Sequence, residues 1–185
     1  ATVNKNAGGE PVSVDERLVE FLLYAKGLYT LTGGEMNIMM GSVLRLWHEC
    51  RQAATANSKN ARIPDEAALA EAALHTDISL LEIDAENSTV RISDPAASVD
   101  VGAVGKGYAT ERAAEYLESI GAESYVLDIG GNLRIIGHKP DGSGWSTGVR
   151  NPFDTGKNAI IFNIADVSCV TSGDYERYCT VNGKR

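Results

Sequence analysis

No stretch of the chain approaches the ~18 consecutive apolar residues that a membrane span requires, and no signal-peptide pattern is visible. Basic charge is in short supply. Lys and Arg number 17 against 25 Asp and Glu, a net charge of -8, which argues against nonspecific binding to nucleic acid or an anionic membrane. The cysteines, Cys50, Cys169 and Cys179, are scattered without metal-ligand spacing and read as small apolar fillers. His48, His75 and His138 are isolated, with no His-x-x-x-His pair and no His/Cys cluster. No Ser/His/Asp or Cys/His arrangement can be assembled, and repeats and low-complexity linkers are absent. The 185 residues, 43% of them hydrophobic, are enough for one domain with a real core, or one domain plus an appendage. The opening Ala1 to Asn4 lacks a methionine and reads as an internal cut.

What the chain does have is glycine set beside charge. Asp100 to Tyr108 reads Asp-Val-Gly-Ala-Val-Gly-Lys-Gly-Tyr, and two echoes follow, at Asp128 to Asn132 and Thr171 to Asp174. Each follows strand-forming residues and leaves bare backbone next to a polar group. Glycine lets a ligand approach the main chain, and a helix that starts there points free N–H groups outward. With Lys106 at the same spot, the cluster suggests a site for a phosphorylated or nucleotide-like anion. Neither standard cradle is present. Gly102 and Gly105 are too close for a P-loop, and Thr110 stands where a dinucleotide fingerprint needs its third glycine or alanine. The alternative is a strand-to-helix turn that needs small residues for packing, with Lys106 merely solvated. Asp128 has two readings as well, a turn-stabilising hydrogen bond or a site carboxylate, and Asp174 has the same standing.

Along the chain, Ser13 to Glu16 reads as a capping box opening a helix with Leu18, Phe21, Leu22, Ala25 and Leu28 on one face. Thr32 to Gly34 should end it. A second helix is expected from about Ser42 to Ala54, with Val43, Leu44, Trp47 and Cys50 along one face, and a third from Pro64. Ser79 to Asp84 and Thr89 to Ser93 should form a hairpin, and Ser98 to Val101 a short strand. A fourth helix is expected from about Lys106 to Ile120, burying Ala109, Ala113, Tyr116, Leu117 and Ile120. Strands follow at Ser124 to Ile129, Leu133 to Ile136, Trp145 to Arg150, Ala159 to Ile164 and Tyr175 to Val181, with Asp141 to Gly144 as a hairpin tip. The expected class is α+β, helices packed on a mostly antiparallel sheet. A helical part, 1–78, precedes a sheet-bearing part, 79–185, within one compact domain.

At these residues the sequence resembles the FAD:protein FMN transferases, the ApbE family. Asp100 to Arg112 is similar to that family's D-x-G-G-x-A-K-G-Y-A-x-D-x segment, and Val126 to Gly137 to its strand-Gly-Gly-(Asp/Asn)-strand segment. Gly142 to Pro152 resembles its Trp-x-x-Gly-(Ile/Val)-x-x-Pro strand, and Val170 to Tyr175 its T-S-G-x-Y turn. Thr32 to Trp47 resembles its G-G-x-F-D-x-T-x-G-x-L-x-x-x-W region. The resemblance implies a Mg²⁺-dependent transferase of the partly represented flavin transferase fold. FAD is divided at its pyrophosphate, FMN passes to a Thr or Ser hydroxyl of a flavoprotein subunit in a membrane redox complex, and AMP leaves. Some relatives instead hydrolyse FAD to FMN and AMP, and a non-enzymatic flavin-binding module is a third reading. Family resemblance alone implies a lipid-anchored, extracytoplasmic protein of the bacterial cell envelope.

Carried onto this sequence, the resemblance implies that the ligand is held at Gly105, Lys106, Gly107, Tyr108, Glu111, Asp128, Gly130, Gly131, Asn132, Thr171, Ser172 and Gly173. The family's F-D-x-T is Met36-Asn37-Ile38-Met39 here, losing an aromatic and a carboxylate, and Met36, Met39 and Met40 stand together. They form either a polarizable wall for a ring or core filler. A metal ion would take the backbone carbonyl of Gly105. The family's H-x-I-D-P and A-D-x-x-x-T segments, which supply its metal-binding Asp and Thr, do not occur in the chain, nor does its N-terminal strand. The expectation is therefore a middle fragment with weak or no catalysis of its own, whose catalytic groups lie outside it.

Overall fold

Asp15, not Ser13, opens the first long helix. The computed structural model describes residues 2–154, 156–173 and 178–184. In it, helix α2 (Glu16–Leu31) follows a short α1 (Thr2–Lys5) and strand β1 (Val12–Ser13). The Asp15 carboxylate accepts from the backbone N–H of Arg17 at 2.9 Å, so the expected capping box is replaced by an Asp cap. Ser13 is unable to serve because it pairs with Thr89 in a sheet. The buried stripe of α2 is Val19, Phe21, Leu22 and Ala25, while Leu18 is exposed.

Helix α3 (Gly41–Ala56) buries Gly41, Ser42 and Cys50. Leu44 and Trp47, expected on the buried face, are 42% and 45% exposed. The reason lies at the helix start, where Gly41 abuts the chain at Ser98. A Cβ on Gly41 would lie 2.5 Å from the Ser98 carbonyl oxygen, so that contact sets which face turns inward. Ser98 to Val101 forms no strand of its own, only a parallel bridge from Ser98 to Met40. Helix α4 (Glu66–Ala73) starts after Asp65, whose carboxylate accepts from Ala68 N–H at 3.0 Å; Pro64 lies just outside it. The hairpin of β2 (Leu81–Asp84) and β3 (Thr89–Ile92) forms as expected and joins β1 in an antiparallel sheet of order β1-β3-β2.

Helix α5 (Gly105–Ser119) buries Thr110 and Ala114, leaving Tyr116 and Ile120 65% and 63% exposed. The expected face was one residue out of phase. Thr110 can be buried because its hydroxyl donates to the Lys106 carbonyl at 2.7 Å, a satisfied polar group that apolar periodicity overlooks. Strands β4 (Tyr125–Ile129) and β5 (Asn132–Ile136) pair across a two-residue turn, and β8 (Val167–Val170) adds to β5. Strands β6 (Trp145–Arg150) and β7 (Asn158–Ile164) form a separate antiparallel pair.

The fold is thus α+β with antiparallel strands, divided among the described residues into three small sheets rather than one. Asp141 to Gly144 is not a hairpin tip, since the strands on either side of it belong to different sheets. Strand β8 has no counterpart among the expected strands. The run of β-formers continues from β7, but Asp166 at φ 54 breaks it and sends the chain into another sheet. Much of the expected strand from Tyr175 to Val181, with Asp174, lies outside the described residues; Val181 forms an isolated bridge with Lys184.

The residues group into two compact units, one within Ala1–Ala103 and Tyr178–Arg185, the other within Val104–Arg177. The β2–β3 hairpin therefore lies with the helices of the first unit. That unit's core includes Leu22, Ile38, Met39, Leu81, Val90 and Ile92; the second unit's includes Val104, Ala114 and Ile135. Among the described residues, no helix is long and apolar enough to cross a membrane.

Candidate anion-binding cleft

The second unit is built around the start of α5. Val104 occupies the N-cap of α5, and its apolar side chain makes no capping hydrogen bond. Lys106, in the first turn, reaches across to the β4–β5 turn, where its ammonium donates to the Gly130 carbonyl at 3.3 Å. Gly107 faces Asn132, whose amide nitrogen lies 3.5 Å from where a Cβ on Gly107 would be.

The β4–β5 turn has only Gly130 and Gly131 between the paired residues Ile129 and Asn132. Both have positive φ, 60° and 82°, as a tight hairpin turn with the twist of its strands demands. Asp128 accepts from the Gly131 N–H at 2.8 Å, which supports the turn-stabilising reading and leaves its second oxygen available. Asn132 pairs with Val170 on β8, which carries Thr171 to Gly173 to the same end of the sheet.

A cleft of about 590 Å³ opens here. Of the anticipated ligand residues, Lys106, Asp128, Gly130, Gly131, Thr171, Ser172 and Gly173 line it. Three segments far apart in sequence are brought to one place. Gly105, Gly107, Tyr108, Glu111 and Asn132 are not among the lining groups. Glu111 is engaged by Arg134, whose Nε donates to its carboxylate at 3.1 Å. Tyr108 is half-buried beneath the Arg112 guanidinium, 5.4 Å from its ring centroid.

Met39 and Met40 belong to the first unit. Met39 has no accessible surface and is core filler, not a wall open to a ring. Met40, half-buried, is the N-cap residue of α3.

The rest of the lining was not anticipated. Leu133 and Cys169 come from β5 and β8, and Thr147, Gly148, Arg150 and Asn158 from the β6–β7 pair. The signal for Arg150 was present, a cation at the end of a strand with glycine two residues before it. The β6–β7 pairing that brings Asn158 beside it is not legible locally.

Such a site suits a polyanion. The Lys106 ammonium can donate to phosphate oxygens, and the side-chain-free Gly130–Gly131 turn lets them approach without steric obstruction. For a divalent cation the fit is partial. Among the described residues no three His, Cys, Asp or Glu side chains group together. Mg²⁺ commonly keeps several waters and takes only one or two carboxylates, so a backbone carbonyl and one carboxylate are a possible but incomplete set.

An α+β domain with antiparallel strands and glycine turns gathered on an anion-type cleft is the class these features define. The whole chain, residues 1–185, matches the ApbE family, and it belongs to that family. It is 31% identical over 199 residues to a FAD:protein FMN transferase of Treponema pallidum (strain Nichols), covering 100% of this chain and 53% of that protein. With the protein of the same name from Haemophilus influenzae it shares 27% over 177 residues, 95% of this chain and 50% of the relative. The chain spans about half the length of the curated relatives it matches.

Among solved structures, the ApbE protein of Thermotoga maritima superposes with a TM-score of 0.81 at 31% identity, over 98% of this chain and 57% of that one. The flavin transferase ApbE of Vibrio cholerae gives 0.72 at 26% identity, over 96% and 56%.

Proposed function

We propose that the chain serves a Mg²⁺-dependent FAD:protein FMN transferase, in which it holds the pyrophosphate of FAD. The observation that carries this reading is the convergence of Lys106, Gly130–Gly131 and Thr171–Gly173 on one cleft beside the first turn of α5. The acceptor hydroxyl attacks the FMN phosphorus, loses its proton, and the bond to the AMP oxygen breaks. Negative charge builds on the bridging oxygen as AMP leaves. A cation and fixed backbone N–H groups aimed at that region lower the barrier, because they are oriented before the reaction begins. Lys106 neutralises charge, the glycine turns admit the phosphates closely, and the Thr171 and Ser172 hydroxyls orient them. A magnesium ion, when bound, would add further neutralisation, and Asp128 is the cleft carboxylate suited to contact it.

The same reading takes as acceptor a Thr or Ser of a flavoprotein subunit in a membrane redox complex, and places the protein at the bacterial cell envelope. Family membership supports these two points, and the cleft is silent on them. FAD binding by fluorescence quenching tests the proposal. Saturable binding that weakens in Lys106→Ala supports it, and binding indifferent to Lys106 overturns it. Product analysis with and without an acceptor protein then separates transfer from hydrolysis.

A further inference from the structure

Three polar residues are buried among the described residues, and two of them are satisfied within the protein. Ser42 donates its hydroxyl to the Ala72 carbonyl at 2.9 Å, and Thr110 donates to the Lys106 carbonyl at 2.7 Å. Thr147 is the exception. It is only 7% exposed, yet among the described residues its hydroxyl has no hydrogen-bond partner. Its oxygen is not sealed in, unlike the Trp145 Nε1, which is fully buried and unpaired. Thr147 lines the cleft, so that is where the hydroxyl opens.

The pattern of β6 sharpens the point. Side chains alternate along a strand, so Trp145, Thr147 and Val149 share one face. The two neighbours on that face are apolar, and valine would match the shape of threonine at 147 with no polar atom to satisfy. A mostly buried hydroxyl without a partner costs stability. A ligand that bonds to it removes that cost.

The floor of the cleft shows what kind of group reaches it. Asp128 pairs with Leu133 and Leu133 with Cys169, a row across β4, β5 and β8 on one face of the sheet. All three line the cleft, so an apolar stretch, Leu133 and Cys169, adjoins the polar turns. Phosphate belongs at the turns, and carbon on the stretch. A threonine hydroxyl both donates and accepts, which matches a sugar hydroxyl in each direction. Resting on the reading of the cleft as a pyrophosphate site, we infer that Thr147 is a specificity-determining residue of that site. Its hydroxyl bonds to a hydroxyl of the sugar or sugar-alcohol chain carried next to the phosphate, whose carbons lie on Leu133 and Cys169.

The test is a titration of the 185-residue chain and of Thr147→Val, Thr147→Ser and Lys106→Ala. The probes are ADP, FMN, an analogue of each stripped of its sugar-chain hydroxyls, and inorganic pyrophosphate. Thr147→Val should melt no lower than the parent, because it loses no protein partner. It should bind pyrophosphate unchanged, weaken ADP or FMN about fivefold, and bind the matching analogue like the parent. Thr147→Ser should restore the loss. A loss confined to ADP assigns the nucleoside ribose, and one confined to FMN the ribityl chain. If Thr147→Val binds ADP and FMN like the parent, or loses pyrophosphate or the analogues equally, the sugar contact is wrong. The phosphate site still stands in that case, provided that Lys106→Ala weakens pyrophosphate. If no probe saturates the parent, or Lys106→Ala binds pyrophosphate unchanged, both readings fall.

Discussion

The ammonium of Lys106 donates to the carbonyl oxygen of Gly130 at 3.3 Å, across 24 residues of sequence. This bond joins the first turn of α5 to the β4–β5 turn, and so joins the two halves of the glycine-rich signal into one wall. It is long and solvent-exposed, and therefore weak; the lysine is free to exchange a carbonyl for a phosphate oxygen.

Lys106→Ala should accordingly change stability by less than about 1 kcal/mol, since an exposed bond of this kind contributes little. FAD affinity should fall about tenfold. Urea denaturation and fluorescence titration on the same preparation check both. A large loss of stability would show that the lysine is structural.

The turn itself should be intolerant of branched side chains. Gly131→Val places a β-branched residue at φ 82° and should cost about 1–3 kcal/mol, whereas Gly131→Asn should cost less. Asp128→Ala removes the acceptor of the Gly131 N–H and should loosen the same turn. Denaturant midpoints rank the three.

Met39→Ala should cost about 2–5 kcal/mol, the usual result of truncating a wholly buried side chain, and Met39→Leu less than about 1.5 kcal/mol. If Met39→Leu instead left stability unchanged but altered flavin fluorescence, the residue would be a ligand contact after all. Gly41→Ala should also destabilise, by about 1–3 kcal/mol, because the added methyl meets Ser98 backbone rather than a movable side-chain end.

His75 and Asp94 predict a pH dependence in the first unit. The imidazole Nδ1 lies 2.6 Å from the Asp94 carboxylate, with Glu71 3.6 Å from Nε2. Hydrogen bonding to Asp94 raises the His75 pKa above its ordinary 6.5, and the same bond lowers that of Asp94 below 3.8. The histidine's contribution is complete below pH 6.5 and is lost as pH rises through its raised folded value. That of Asp94 is complete above pH 3.8 and is lost as pH falls through its lowered one. The pair should therefore contribute most between about pH 3.8 and 6.5. Thermal melts across pH 3 to 9 on His75→Gln should lack that component; an unchanged profile would remove the pair from the account.

Legibility in the sequence follows how local each feature is. The β2–β3 hairpin, the β4–β5 turn and the end of α2 were read correctly, because each is set by neighbouring residues. The buried face of α5 was misread because Thr110 is polar by type but bonded to its own helix. In α3 the face depends on Gly41 meeting Ser98, a contact across 57 residues that no periodicity reports. The capping box at Ser13 failed for a similar reason, since that residue is held in a sheet with Thr89.

By itself the sequence determined the α+β class, the family and the glycine-rich turns at 102–104 and 130–131, because propensity, turn chemistry and motif spacing all act over a few residues. Tertiary structure alone decided that Met39 is core, that Glu111 is held by Arg134, and that α5, β4–β5 and β8 share one end of a sheet. It also decided the register of β6 and β7. A strand pairing slipped by one residue turns Asn158 toward Gly148, and only the partner strand determines where that slip falls.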